Sequence, residues 1–324
     1  METGGQPLRE HTMTLDLIRS SVFVRQHAGC TFVLKVGGAC LARPRRLRAL
    51  AQQVAVVQAL GSRVLLVHGG GPQVSARQAA AGETPRKVDG RRVTTPVALG
   101  ALKDCALELG EQLVAALVEA GASASRLDAV ATGCVKAVRR APVMTGEGVV
   151  DFGLVGDVCG VDSVAIEGAL ERSGIVVLAP PVQESAATAG EGLNVNADTV
   201  AAEVAVALGA RKLILATDTT GILADPADSN SAIGAMTLDE LNGYAAVGVL
   251  SGGMAVKAGA VERALAAGVE RVHLIDGRRE DGLLVELYTA HGSGTLVTLE
   301  HQASPAQPAQ PAHPARPARL EVGP

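Results

Sequence analysis

Two lysines stand beside glycine pairs more than two hundred residues apart: Lys35 in TFVLKVGGA and Lys257 in LSGGMAVKAG. Between them lie a triple glycine closing the apolar run LLVHGGG at Gly71 and the polar string NVNAD from Asn194 to Asp198. A strand that ends in Lys-x-Gly-Gly sets an ammonium beside backbone N–H groups that are able to point at an anion, and the second Gly-Gly plus lysine repeats the device. Two separated cationic nests predict a polyphosphate gripped from both sides.

Each piece also has a plain structural reading. A lone Gly-Gly after a strand is usually a tight turn and a lone lysine a solvated charge, so the conjunction carries the argument. Lys35 follows the apolar stretch Phe32 to Leu34 and must emerge at the carboxyl end of its strand, the end at which open α/β sheets bind ligands. The glycine loop is not a phosphate-binding P-loop, because HGGG is followed by Pro-Gln-Val rather than Gly-Lys-Ser/Thr. It also lacks the G-x-G-x-x-G spacing of dinucleotide sites, which argues against a nicotinamide cofactor. Asp198 in Asn-Ala-Asp before a helical run could serve as an N-cap. Arg92 could belong to a solvated basic stretch around a turn at Asp89-Gly90. His68, at a strand end, reads as a satisfied structural histidine.

Composition narrows the classes. The chain has 324 residues, 48% of them hydrophobic, with 38 glycines, no tryptophan and five Phe plus Tyr. Such a chain can bury a large aliphatic core as one big domain or two lobes, and it lacks the stacked aromatics used to bind single-stranded nucleic acids. A formal charge of −4 and a pI near 6.0 argue against a nucleic-acid or anionic-membrane surface as main partner. Thr14 to Val24 is interrupted by Asp16, Arg19 and two serines, unlike a signal peptide, and no apolar run reaches the length of a membrane helix, so a cytoplasmic location is expected. The five cysteines form no C-x-x-C pair and read as small buried hydrophobes, with no metal site expected.

The elements that must position these residues alternate. Short β-branched runs at Thr31 to Val36, Val64 to His68, Ile175 to Leu178, Lys212 to Ala216 and Arg271 to Ile275 predict strands. Leu47 to Leu60, Leu99 to Ala120, Asp198 to Leu208 and Ala255 to Ala267 have helical period. This spacing with fully apolar strands predicts an α/β fold, a three-layer αβα sandwich on a mainly parallel sheet. Met13 to His27, with Leu15, Ile18, Val22 and Phe23, predicts an amphipathic helix ahead of the first strand. The repeating Pro-Ala tract of residues 300–324 predicts a disordered tail.

The stretches VLKVGGA, LLVHGGGPQV, GRRVT, DFGLVGDV, GLNVNADTVA, LILATDTTGIL and LSGGMAVKAGAVERALAAGV, with VHLIDGRREDGLLVELYTAHGSGT, resemble in order the amino acid kinase family and, within it, the acetylglutamate kinase branch. The resemblance covers roughly Thr31 to Thr298. It implies an extension at 1–29 and a kinase domain at 30–299, with an acceptor lobe at about 30–180 and a nucleotide lobe at about 181–299. It also implies ATP-dependent phosphorylation of the γ-carboxylate of N-acetyl-L-glutamate in arginine biosynthesis, with Mg2+ brought by the ATP.

By that resemblance Lys35 and Lys257 contact the transferring phosphoryl group and Asp198 holds the two lysines. Gly70, Gly71, Arg92 and Asn194 belong to the acceptor side. Gly37, Gly38, Thr217, Asp218, Gly221, Leu223 and Gly252 to Met254, including Gly253, belong to the nucleotide side. The N-terminal segment resembles the extra helix of arginine-inhibited, hexameric members, with Phe23 in place of a tyrosine and with Glu286 and Gly292 beside the effector, so a homo-oligomer, dimer or hexamer, is expected. Two stretches depart from the family pattern. SRLDAVATGC, Ser125 to Cys134, stands where Gly-Leu-Ser-Gly-x-Asp-Gly is usual, and Gly110 is followed by Glu111 and Gln112 without the usual asparagine. Both departures lie on the acceptor side. A kinase for a related acyl or carrier-bound amino acid such as aminoadipate, and a weakly active paralogue sensing arginine or nucleotide, are the competing readings.

Overall fold

The computed structural model describes residues 6–300 apart from 89, 187–191, 226, 229–230 and 251; the Pro-Ala tract lies outside the described residues. Among the described residues the main sheet has eight strands in the order Ala235–Thr237, Thr295–Thr298, Arg271–Asp276, Lys212–Thr217, Thr31–Val36, Arg63–His68, Ile175–Ala179 and Ala124–Asp128. All neighbours run parallel except Arg271–Asp276 with Thr295–Thr298. The expected layered α/β architecture is therefore present, and the five strands anticipated from their apolar runs form its centre.

Both faces of the sheet are covered, which is why its strands carry apolar residues on alternate and adjacent positions alike. Phe32, Leu34 and Val36 point into one core with Leu66, Leu113 and Ile214. Val33 points into the other with Leu65, Val200 and Leu213. The side-chain period of two then sets Lys35 on the face of Val33, toward the helix Ala197–Ala207, rather than toward solvent. Strand register aligns Lys35 with Val67 and Leu215, and Val36 with His68 and Ala216, so these strands end at one level.

A second, four-stranded sheet (Gly192–Leu193, Val182–Glu184, Val135–Arg139, Gly156–Val161) and two short hairpins complete the strands among the described residues. One hairpin pairs Lys87–Val88 with Arg91–Arg92 around Gly90, whose φ of 75° requires the conformational freedom of glycine. The anticipated N-terminal helix spans Gln6–His27, yet the apolar residues whose side chains are described do not share one buried face. Phe23 and Val24 pack on the core while Ile18 and Val22 are 61% and 46% exposed. Cys40, Cys105 and Cys134 are buried as expected, whereas Cys159 is exposed on a strand of the second sheet. Among the described residues, no helix is long and apolar enough to cross a membrane.

Candidate active site

The carboxyl ends of the central strands open into a cleft of about 490 Å³. Lys35, at the end of the first strand, places Nζ 2.7 Å from Asp198 Oδ1. Lys257, on the helix Gly252–Ala266, places Nζ 3.8 Å from Asp198 Oδ2 and 3.5 Å from the Gly253 carbonyl oxygen. One carboxylate thus sits between two ammonium groups carried by separate parts of the fold. Lys35 and Asp198 are nearly buried, at 8% and 5% side-chain exposure, and Lys257 is 16% exposed. The Lys35–Asp198 contact is an ion pair without hydrogen-bond alignment, since Asp198 Oδ1 has no hydrogen-bond partner.

Asp198 is not the N-cap of its helix. Asn196 takes that role, its side chain accepting from the Asp198 N–H at 2.7 Å, which leaves the Asp198 carboxylate to face the lysines. A carboxylate within the first helical turn is further favoured by the helix dipole. Among the described residues, six cations, Lys35, Lys87, Arg91, Arg92, Arg140 and Lys257, line the cleft with the carboxylates of Asp198 and Asp218. That excess of positive charge suits polyanions.

The glycine loops let backbone approach backbone. A Cβ at Gly38 would lie 2.5 Å from Gln73 Oε1 and 2.9 Å from Gly70 Cα, distances no side chain tolerates. Gln73 Nε2 in turn donates to the Gly38 carbonyl oxygen at 2.9 Å, tying the two loops together. Gln73 was not among the expected site residues; the only signal for it is its place directly after HGGGP.

Arg92 is held by the helix Gly71–Ala80. It donates to Gln78 Oε1 at 2.7 Å, Ser75 Oγ at 2.7 Å and the Gly71 carbonyl oxygen at 3.0 Å. Its half-buried guanidinium is held by these bonds, while Arg86, Lys87 and Arg91 of the same basic stretch are exposed. Asn194 donates from Nδ2 to Thr94 Oγ1 at 2.8 Å, and its backbone N–H and C=O pair with Leu154 and Gly156.

Lys35, Asp198 and Lys257 are thereby brought together with Gly37, Gly38, Gly70, Gly71, Arg92 and Asn194 in one cleft, and Thr217, Asp218 and Gly253 line it too. Gly221, Leu223, Gly252 and Met254 do not line it. Gly221 packs on Thr295, Leu223 bridges Ala232, and Met254 is half-buried against the core. Gly252 touches Gly90 of the short hairpin, whose Cβ position lies 3.5 Å from the Gly252 carbonyl carbon. His68 is buried as expected but not satisfied: its Nδ1 has no partner. Burial drives its pKa down to about 4, so the imidazole is neutral.

Phe23, Glu286 and Gly292 lie away from the cleft. Phe23 is on the N-terminal helix, which packs against the helix Gly282–Tyr288 that carries Glu286. The buried Glu286 carboxylate lies 2.6 Å from His273 Nδ1 and accepts from the N–H groups of Ser293 at 2.5 Å and Gly294 at 3.0 Å. Burial pushes its pKa up, but the His273 hydrogen bond and these backbone donors outweigh that and hold it at about 2. The pKa of His273, fully buried, is lowered too, by desolvation. The consistent state is an ionised Glu286 with a neutral His273 donating from Nδ1, leaving Nε2 as a buried lone pair.

Residues 31–276 match the amino acid kinase family. The chain is 39% identical over 297 residues to the acetylglutamate kinase of Myxococcus xanthus, covering 90% of this chain and 96% of that one. It is 33% identical to the acetylglutamate kinase of Archaeoglobus fulgidus, covering 87% and 97%. Among solved structures it is similar to an N-acetylglutamate synthase from Neisseria gonorrhoeae complexed with coenzyme A and N-acetyl-glutamate, with a TM-score of 0.77 and 26% identity over 89% of this chain. This chain spans 64% of that synthase. The carbamate kinase of Giardia lamblia, at 17% identity over 84% of this chain and 99% of that one, and a TM-score of 0.61, shares the fold.

Proposed function

The chain belongs to the amino acid kinase family, and from that premise we propose that it transfers the γ-phosphoryl group of Mg2+-bound ATP to the γ-carboxylate of N-acetyl-L-glutamate, the acetylglutamate kinase step of arginine biosynthesis. The observation that carries this reading is the Asp198 carboxylate set between Lys35 and Lys257 in a cleft whose described charged residues are mostly cations.

A side-chain carboxylate is ionised near neutral pH, so it attacks without a general base. One of its oxygens bonds to the γ-phosphorus as the bond from that phosphorus to the β,γ-bridging oxygen breaks, and ADP leaves with the electron pair. Two anions must be brought together in line, and charge spreads over the phosphoryl oxygens as the transfer proceeds. Lys35 and Lys257 answer both needs, and Asp198 keeps their ammonium groups apart from each other and aimed into the cleft. The N–H groups of the Gly37–Gly38 and Gly70–Gly71 turns add donors that need no reorganisation. The Mg2+ ion rides on phosphate oxygens and water.

Arg92 holds the α-carboxylate of the acceptor, a planar fork meeting a planar anion, with Asn194 beside it. Arg92→Ala is therefore expected to raise KM for N-acetyl-L-glutamate by about tenfold to a hundredfold, the worth of a charged hydrogen bond, while kcat moves much less. ADP release measured against acceptor concentration tests both points. Release that does not depend on N-acetyl-L-glutamate would overturn the assignment, and an unchanged KM in the variant would remove Arg92 from the acceptor site.

The Glu286 network supports a regulatory role for arginine. An ionised carboxylate buried beside Gly292 and the N-terminal helix is a fitting counter-ion for a guanidinium, and the exposed Ile18 and Val22 on that helix suit contact with a second copy of the chain. Arginine is expected to inhibit turnover saturably in a homo-oligomer. Activity that stays flat across millimolar arginine, in a protein sedimenting as a monomer, would discard the idea.

A further inference from the structure

A second cavity, of about 620 Å³, lies beside the cleft on the acceptor side. His68, Ala106 and Ala179 line both spaces, so the partition between them consists of one imidazole and two of the smallest side chains. The far wall is Arg126 to Ala131, which falls inside the Ser125–Cys134 stretch where the sequence departs from the family pattern. Leu107, Leu127, Val130 and Pro181 give part of it an apolar lining, beside the polar Lys103, Asp104 and Gln183.

A glycine of the long helix borders the same wall. A Cβ at Gly110 would lie 2.8 Å from Arg126 Cδ and 3.5 Å from His68 Nε2, so glycine there lets Arg126 lie over the long helix Pro96–Glu119 next to His68. Arg126 then pairs with Asp128 at 3.2 Å, and Asp128 accepts from the N–H groups of Val130 and Ala131, both at 3.0 Å, which pins the wall. His68 is the polar side chain common to the linings of both spaces.

Resting on the acceptor reading above, we propose that this cavity receives the acyl tail of N-acyl-L-glutamates longer than the acetyl compound, the tail passing over Ala106 and Ala179 with its amide against His68. The reacting γ-carboxylate and the α-carboxylate keep their places in the cleft. Only the acyl methylenes enter the apolar space, where each one taken out of water favours binding by up to about fourfold.

The test compares kcat/KM of the full chain for N-acetyl-, N-butyryl- and N-hexanoyl-L-glutamate, in the wild type and in Leu107→Trp and Val130→Trp, which fill the cavity from outside the cleft. The wild type is expected to use the butyryl compound at least as well as the acetyl one. Each variant is expected to lose at least tenfold on the butyryl compound while changing less than threefold on the acetyl one. Leu107 is 43% exposed on its helix, so its substitution carries the test even if tryptophan at 130 disturbs folding. A wild type that turns over the butyryl compound more than tenfold worse than the acetyl one, or a Leu107→Trp protein whose preference is unchanged, overturns the proposal. Turnover of none of the three is a different result, one that removes the acceptor reading itself and this inference with it.

Discussion

Asp198→Asn is expected to lower kcat by about a hundredfold or more and to destabilise the unliganded protein by about 3–5 kcal/mol. The substitution keeps the shape of the side chain and removes its charge. Lys35 Nζ, 2.7 Å away and 8% exposed in its side chain, would then be an ammonium in a low-dielectric setting with no counter-ion. Such a group loses its proton or takes in water, and either response spoils the electrostatic field that the phosphoryl group must meet. Bound ATP supplies negative charge to the same lysines, so it should raise the melting temperature of the variant more than that of the wild type. Denaturant unfolding with and without ATP, beside steady-state rates, checks both halves. A variant that retains activity within tenfold of the wild type would show that the central carboxylate is dispensable.

Lys257→Ala separates transition-state stabilisation from binding. Its ammonium is 3.8 Å from Asp198 and only loosely tied to the Gly253 carbonyl, so the folded state relies on it little. Alanine is a better helix former than lysine at this position on the helix Gly252–Ala266. Stability should therefore change by less than about 1 kcal/mol, while kcat falls by about a hundredfold to a thousandfold with a much smaller change in KM for ATP. A raised KM at unchanged kcat would make Lys257 a ground-state phosphate clamp instead.

Much of the scaffold could be read from the chain because its central strands are covered on both faces. Thr31–Val36, Arg63–His68, Ile175–Ala179, Lys212–Thr217 and Arg271–Asp276 are continuous apolar runs, and their observed ends fall within a residue of those anticipated. The elements of the second sheet and its neighbouring hairpin were less legible. Val135–Arg139, Gly156–Val161 and the hairpin of Val143–Thr145 with Gly148–Val150 mix exposed and buried residues over a few positions, so neither period stands out.

The site divides along the same line. Lys35 was readable from its own strand, since an apolar run ending in lysine fixes where the ammonium emerges. The place of Asp198 between the lysines was legible only through the family resemblance, since on local pattern alone it could equally be an N-cap, a position the fold gives to Asn196. Gln73 and the unpartnered His68 nitrogen depend on loops and helices distant in sequence meeting at one point, which no local pattern records. The same holds for the second cavity, assembled from a strand end, a short helix and the far side of Pro96–Glu119.

The most direct measurement of the central claim is chemical capture of the product. Purified protein is incubated with ATP, Mg2+ and hydroxylamine, with N-acetyl-L-glutamate, glutamate, aspartate or α-aminoadipate as acceptor, and the hydroxamate is identified by mass. The account predicts the γ-hydroxamate of N-acetyl-L-glutamate, formed in step with ADP and absent with the three free amino acids. ADP released without hydroxamate, hydroxamate formed on aminoadipate instead, or ATP bound with no turnover at all would contradict it.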